Sequence, residues 1–273
     1  MRFRTYCGSP GWSTTKLRDL GVQSLHTYFP GMCGRITQKS SAKQLGLGLI
    51  TLVEPLHVPP RYNGAPGQEQ WVIRQNPKTG ERTLERILWG LIPHWCKDPD
   101  GGRKPFNARA ESVSSLPTFR DAYRRRRCLI PINNLFEWKA TKGATAKQPY
   151  AIAMKKGAPF ALAGIWENWR RPGTEEWVRT FAIITTRSND MVSTIHDRMP
   201  VIIPTIEFDR WLSPLDPDPY DLLVPFPSDP MTMWPVSTRV NKPANDDASI
   251  LNWLKPEVGE AGLQSLPLDV RVD

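Results

Sequence analysis

Cys33 sits in Met32-Cys-Gly-Arg35, where it becomes residue one of the working protein if synthesis starts at Met32 or everything before the cysteine is removed. A cysteine at a chain start carries two nucleophiles, an α-amine and a thiol two carbons apart. The amine can trap an aldehyde as an imine, and sulfur can then close a five-membered thiazolidine, which an internal cysteine cannot do. With ordinary pKa values of about 7.7 to 8.0 for the amine and about 8.5 for the thiol, both groups are partly nucleophilic near neutrality and respond to nearby charge. The plainer reading is a chance tetrapeptide within a leader.

Three further segments have residue types suited to that chemistry. Asn107, Arg109 and Glu111 alternate in Asn107-Ala-Arg-Ala-Glu111, so an extended segment would put all three on one face. There, Asn can orient an amine or hydroxyl and Arg can fork onto phosphate; a solvated edge strand would show the same pattern. Glu137 lies between Phe136 and Trp138. It is either a carboxyl tuned toward neutrality by apolar surroundings or a water-facing residue of an alternating strand. His196, in His196-Asp-Arg-Met-Pro200, is a natural proton shuttle, and Arg198 shares its face if the segment is extended. Arg124-Arg-Arg-Arg127 with Trp89 and Trp95 reads as a nucleic-acid surface, since guanidiniums neutralise phosphates and indoles stack on unpaired bases; a solvated helix end and a piece of core would look alike.

The elements that must position these residues are predominantly strands. A short helix is expected over 40–49 and an irregular surface stretch over Arg61-Tyr-Asn-Gly-Ala-Pro-Gly67. A hairpin is expected from 71–74 and 83–89 about the turn residues Asn76 to Gly80, and a helix over 116–124. Further strands are read at 128–132, 150–154, 161–166, 180–186 and 201–203, with short helices at 206–212 and 248–254. Strands follow one another without a helix between each pair. The fold class is therefore α+β, a single domain with a curved, mainly antiparallel, barrel-like sheet flanked by short helices.

Composition sets the frame. With 273 residues and 40% hydrophobic content, the chain can bury a substantial core. Lys and Arg exceed Asp and Glu by 36 to 27. The 1–32 segment is basic and acid-poor, the 256–273 tail is acidic, and the body between them keeps the excess, which suits a polyanionic partner. Four cysteines without close-spaced pairs suggest neither a disulfide framework nor a zinc site, so a reducing cytoplasm is expected. The start lacks a secretory apolar run, and no membrane-spanning stretch is present.

Eight ordered motifs join these readings: Met32-Cys-Gly-Arg35, Arg61-Tyr-Asn63, Trp89-Gly-Leu-Ile-Pro93, Asn107-Ala-Arg-Ala-Glu111, Cys128-Leu-Ile-Pro131, Phe136-Glu-Trp138, His196-Asp-Arg-Met-Pro200 and Val236-Ser-Thr-Arg-Val-Asn241. Together they resemble the SOS-response-associated peptidase family, the abasic-site processing proteins, with a matching domain over 33–255. The resemblance implies capture of an abasic site in single-stranded DNA through a thiazolidine on the N-terminal cysteine, along a basic DNA-binding groove. It also implies autoprocessing peptidase and lyase-type chemistry, no cofactor or metal, a monomer, and a place at the nucleoid in the cytoplasm. Carried onto this chain, the implied catalytic residues are Cys33, Asn107, Glu137 and His196. The implied DNA contacts are Arg35, Asn63, Arg109 and Arg198, with Trp89 propping the strand open. The departure is the segment before Cys33, which must be untranslated or cut away to free the amine. Two rivals remain, a cysteine peptidase acting on other proteins and a non-catalytic single-strand-binding module.

Overall fold

A computed structural model describes residues 33–50, 57–76, 78–98, 104–140, 143 and 146–254; the leader to residue 32 and the acidic tail from 256 lie outside the described residues. At the centre is a closed ring of five strands. β3 (Glu69–Gln75) and β4 (Arg82–Trp89) form the expected hairpin, and β4 runs parallel to β10 (Trp177–Arg187). Next around the ring come β9 (Phe160–Arg170) and β6 (Arg127–Ile132), which returns to β3. β6 is buried along its whole length and β9 along most of its own, because one side faces the barrel interior and the other a second layer. Strands covered on both faces read as continuous apolar runs, and these two do.

The second layer is an antiparallel sheet in the order β13 (Met231–Pro235), β8 (Gln148–Met154), β7 (Asn134–Lys139), β1 (Ile36–Gln38) and β2 (Arg61–Gly64). The chain passes from barrel to sheet at Asn133, whose side-chain oxygen accepts the backbone N–H groups of Lys39 and Ser40 at 2.8 and 3.2 Å. Between the layers lies one apolar cluster that includes Cys33, Ile36, Trp89, Leu135 and Phe181. Short strands β5 (Asn107–Arg109), β11 (Arg198–Pro200) and β12 (Ile202–Ile203) extend the barrel wall. The helices α1 (Ala42–Leu45), α2 (Ala110–Val113), α3 (Arg120–Arg125), α4 (Asp190–Ser193) and α5 (Phe208–Leu212) are one turn or slightly more.

Some local expectations change. The helix expected over 40–49 is only α1: Ser41 caps it, and the chain turns away at Leu47 and Gly48, which have φ of +53° and +75°. Arg61 to Gly64 is not loop but the edge strand β2, with Asn63 buried. Helix α3 starts at Arg120 and not near 116. The segment around 248 is a 3₁₀ turn, Ala248–Leu251. Strand β13 was not expected at all, because Met-Thr-Met-Trp-Pro follows a proline-rich run and reads as loop.

Candidate active site

Cys33 leads into β1, and its backbone carries the convergence of the site. The Cys33 N–H donates to Glu137 Oε1 at 2.5 Å, and Asn107 Nδ2 donates to the Cys33 carbonyl at 3.3 Å. Residues 74 and 104 positions away in sequence thus grip the two sides of one residue. The topology explains the meeting. β7 is hydrogen-bonded beside β1, placing Glu137 two residues beyond Leu135, the partner of Ile36. β5 is fixed parallel to β10, with Asn107 opposite Ile183 at the mouth of the same inter-layer core. Cys33 itself adopts a φ of +35°, a conformation uncommon for a residue with a side chain.

Glu137 is only 2% exposed. Burial raises its carboxyl to about 8, against the lowering effect of the N–H groups of Cys33 and Trp138 and the more distant Lys147. The apolar surroundings differ from those expected. Phe136 and Trp138 point to the opposite face of β7, into a separate cluster with Val236 and Val240. What dries Glu137 is the core between barrel and sheet. The Cys33 thiol is raised well above its ordinary value, first by burial and then by the Glu137 carboxylate. Sulfur is therefore a thiol at neutrality, and the backbone nitrogen is the atom placed against an acid/base group.

Helix α4 delivers His196: Asn189 caps it by accepting the Val192 N–H at 2.9 Å, and the His196 N–H closes the turn on Val192 O. His196 Nδ1 accepts the Arg198 N–H at 3.1 Å. A ring that accepts at Nδ1 carries its hydrogen on Nε2, making that atom a donor. Asp197 Oδ1 is 3.1 Å from Nδ1, and its charge raises Glu137, which ties this loop to the centre. Among the described residues, no hydrogen bond joins His196 to Cys33 or Glu137.

The arginines divide. Arg109 is exposed. Arg35 donates through Nη1 to Asn63 Oδ1 at 2.9 Å and to Val240 O at 2.5 Å, and burial without an acidic partner lowers its guanidinium to about 10. Arg198 is tied to Glu111. Glu111 does not share a strand face with Asn107 and Arg109, because the strand ends at Arg109 and Glu111 belongs to α2. In the run 124–127, Arg124 and Arg125 face solvent, Arg126 pairs with the buried Glu167, and Arg127 is buried, donating to the carbonyls of Tyr123, Trp211, Ser213 and Asp216. Half of that expected phosphate surface is structural.

Two expected DNA contacts lie inside. Trp89 is fully buried, stacked on Phe181 with ring centres 5.9 Å apart, and its indole donates to Phe106 O at 2.9 Å. It cannot reach a base; it walls the inter-layer core and fixes the residue before Asn107. The exposed indole of that segment is Trp95, at 42%. Asn63 is fully buried and donates to the carbonyls of Val240, Lys242 and Asn245, while Asp246 Oδ1 accepts the N–H groups of Tyr62 and Asn63. Asn63 therefore locks the 240–246 segment under Arg35 and does not face a ligand. Asp246 is a member of this assembly that sequence reasoning missed, and Asn241 Oδ1 joins it by accepting the Trp138 indole N–H at 2.7 Å. Val236-Ser-Thr-Arg-Val-Asn241 was visible as a motif, but its carbonyls, not its side chains, do most of the work.

The profile of the family described as SOS response associated peptidase (SRAP) matches residues 32–243. The abasic site processing protein YoqW of Bacillus subtilis is 37% identical over 227 residues, covering 81% of this chain and 99% of its own. The abasic site processing protein HMCES of Gallus gallus is 29% identical, over 70% of this chain and 66% of its own. A crystal structure of a protein from Bacteroides thetaiotaomicron superposes with a TM-score of 0.71 at 26% identity, covering 81% of this chain and all of its own. One of a phage-related protein from Bordetella bronchiseptica does so with 0.58 at 30%, over 75% of this chain and 94% of its own.

Proposed function

This chain belongs to the SOS response associated peptidase family, and from that premise we propose that it processes abasic sites in single-stranded DNA by forming a thiazolidine crosslink on Cys33. One observation carries the reading: the Cys33 nitrogen, which becomes the α-amine when nothing precedes it, lies 2.5 Å from a buried carboxyl poised near neutrality. The amine adds to the ring-opened sugar aldehyde, giving a carbinolamine. Protonated Glu137 gives its hydrogen to the departing hydroxyl, water leaves, and the nitrogen, keeping its own hydrogen, becomes an iminium paired with the Glu137 carboxylate. The Cys33 thiol then adds to the iminium carbon while its proton goes to the Glu137 carboxylate, closing the ring with a neutral N–H and restoring the protonated acid. The raised thiol suits this order, since sulfur acts second and on an electrophile already in place.

Asn107 holds the Cys33 carbonyl and so orients the amine, and His196 Nε2–H donates to a sugar oxygen. Arg35, Arg109 and Arg198 hold phosphates, and of the two indoles expected to stack on bases Trp95 is the one that meets solvent. While residues precede Cys33 its nitrogen is an amide and cannot form an imine. The same Glu137 contact suits a proton donor to the departing nitrogen if Met32–Cys33 is cleaved autocatalytically; a start at Met32 frees the amine equally well. The imine stage is also where lyase-type strand cleavage can branch off. A cysteine peptidase of other proteins fits less well, because its nucleophile needs a thiolate and a histidine base, whereas here the thiol is raised and no hydrogen bond joins Cys33 to His196.

The reaction belongs to a monomer beginning at Cys33 and needs no cofactor. Among the described residues no helix is long and apolar enough to cross a membrane. The test is incubation with matched single-stranded and duplex oligonucleotides bearing one abasic site, read on a denaturing gel with intact mass. Crosslinking should favour the single strand and vanish in Cys33→Ser. Equal or faster reaction with duplex, or crosslinking by a protein whose mass retains Met32, would overturn the reading.

A further inference from the structure

Arg198 is held in a way that a phosphate would have to undo. Its Nη1 donates to Glu111 Oε1 at 2.7 Å and its Nη2 to Oε2 at 2.9 Å, a two-pronged fork onto a carboxylate. Nη2 also donates to Thr185 O at 2.6 Å, and Nε is buried without a hydrogen-bond partner. The terminal nitrogens spent on Glu111 are those a guanidinium offers to a phosphate. The pair crosses β10, since β5, which leads into Glu111, lies on one side of Thr185 and β11, which carries Arg198, lies on the other.

The two partners differ in freedom. The Arg198 side chain is 12% exposed and anchored to Thr185, whereas that of Glu111 is 53% exposed. The carboxylate is thus the partner that can turn into water while the guanidinium stays in place. Arg109 beside it is exposed, so Glu111 puts a negative charge among the cations of the expected DNA face.

We propose that Glu111 is an internal substitute for a DNA phosphate: it occupies the Arg198 fork in the free protein and must be displaced when a phosphate is bound. This rests on the reading of Arg198 as a phosphate contact. Its effect is selectivity. Paired with Glu111, Arg198 adds no net charge, so undamaged strands are held weakly, while a lesion is retained by its covalent bond.

Binding of a lesion-free single-stranded oligonucleotide, titrated from about 50 to about 200 mM salt, tests this. Glu111→Gln should tighten binding by about 3- to 10-fold at low salt and steepen the log–log salt slope by about 0.7, one added phosphate contact on a single strand. Arg198→Ala should weaken binding, and adding Glu111→Gln to it should give less than about a twofold change, because the carboxylate acts through that arginine. Glu111→Gln that binds no better than the parent makes the carboxylate a strut and overturns the inference. An equal gain with and without Arg198 overturns it too, as a general charge effect. If Glu111→Gln lowers the melting temperature, Glu111→Asp, whose shorter arm reaches the fork poorly, must also bind more tightly than the parent, or the inference falls. If no protein in the set retains the oligonucleotide even at low salt, the DNA-binding reading fails together with it.

Discussion

Replacing Glu137 by Gln should stabilise the protein increasingly as pH rises from 5 to 8, an effect opposite to losing an ordinary salt-bridged carboxylate. Burial raises the folded-state carboxyl to about 8 from 4.5. Below the unfolded value both states hold the proton and the site costs nothing. Between the two values the folded protein keeps a proton the unfolded chain has released, so stability falls with rising pH and the loss is complete near pH 8. The difference of about 3.5 pK units, at about 1.36 kcal/mol each, caps the loss at roughly 5 kcal/mol, and relaxation around the charge makes about 2 to 4 kcal/mol the working expectation. Glutamine carries no such term. The melting-temperature difference between Glu137→Gln and parent should therefore grow by about 5 to 12 °C over this range, at about 2 to 4 °C per kcal/mol for a domain this size. The comparison should stop near pH 8.5, above which release of the Cys33 thiol proton in the unfolded chain weakens both proteins. Crosslinking by the same variant should slow by about 10². Parallel melting curves across the pH range would refute the claim that burial dominates this carboxyl.

Trp89→Ala should lose about 3 to 5 kcal/mol of stability through an unfilled cavity. Trp95→Ala should leave thermal melting near that of the parent and weaken single-strand binding by about 1 to 3 kcal/mol; exchanged outcomes would reverse their assignments. Asn63→Ala removes one donor from each of the carbonyls of Val240, Lys242 and Asn245, of which Val240 O keeps Arg35 and Lys242 O keeps the Asn245 N–H, and should cost about 1 to 3 kcal/mol, with DNA affinity at low temperature reduced only through Arg35. Urea titration beside a binding isotherm separates the two effects. His196→Ala should slow crosslinking while retention of lesion-free single strands stays within about twofold, and a parallel loss of both would remove its separate role.

The sequence was sufficient for the strand-rich α+β class and for the hairpin of β3 and β4, because apolar runs and the turn residues Asn76 to Gly80 between them are local signals. The pairing of Cys33 with Glu137 came only from the resemblance to a known family, because nothing local to either residue fixes a contact 104 positions apart in sequence. What the sequence could not contain was direction. Trp89 and Trp95 are six positions apart in one aromatic segment, yet one is sealed between barrel and sheet and the other meets solvent. Asn63 reads as a polar loop residue and is instead the clamp for carbonyls nearly 180 positions away. Glu137 owes its dryness to the barrel across from it, not to the aromatics beside it. Arg198 looks like a free phosphate fork until α2 brings Glu111 against it. In each case residue type follows from covalent chemistry, whereas exposure and partner are set by which strands close the barrel and what that closure leaves facing water.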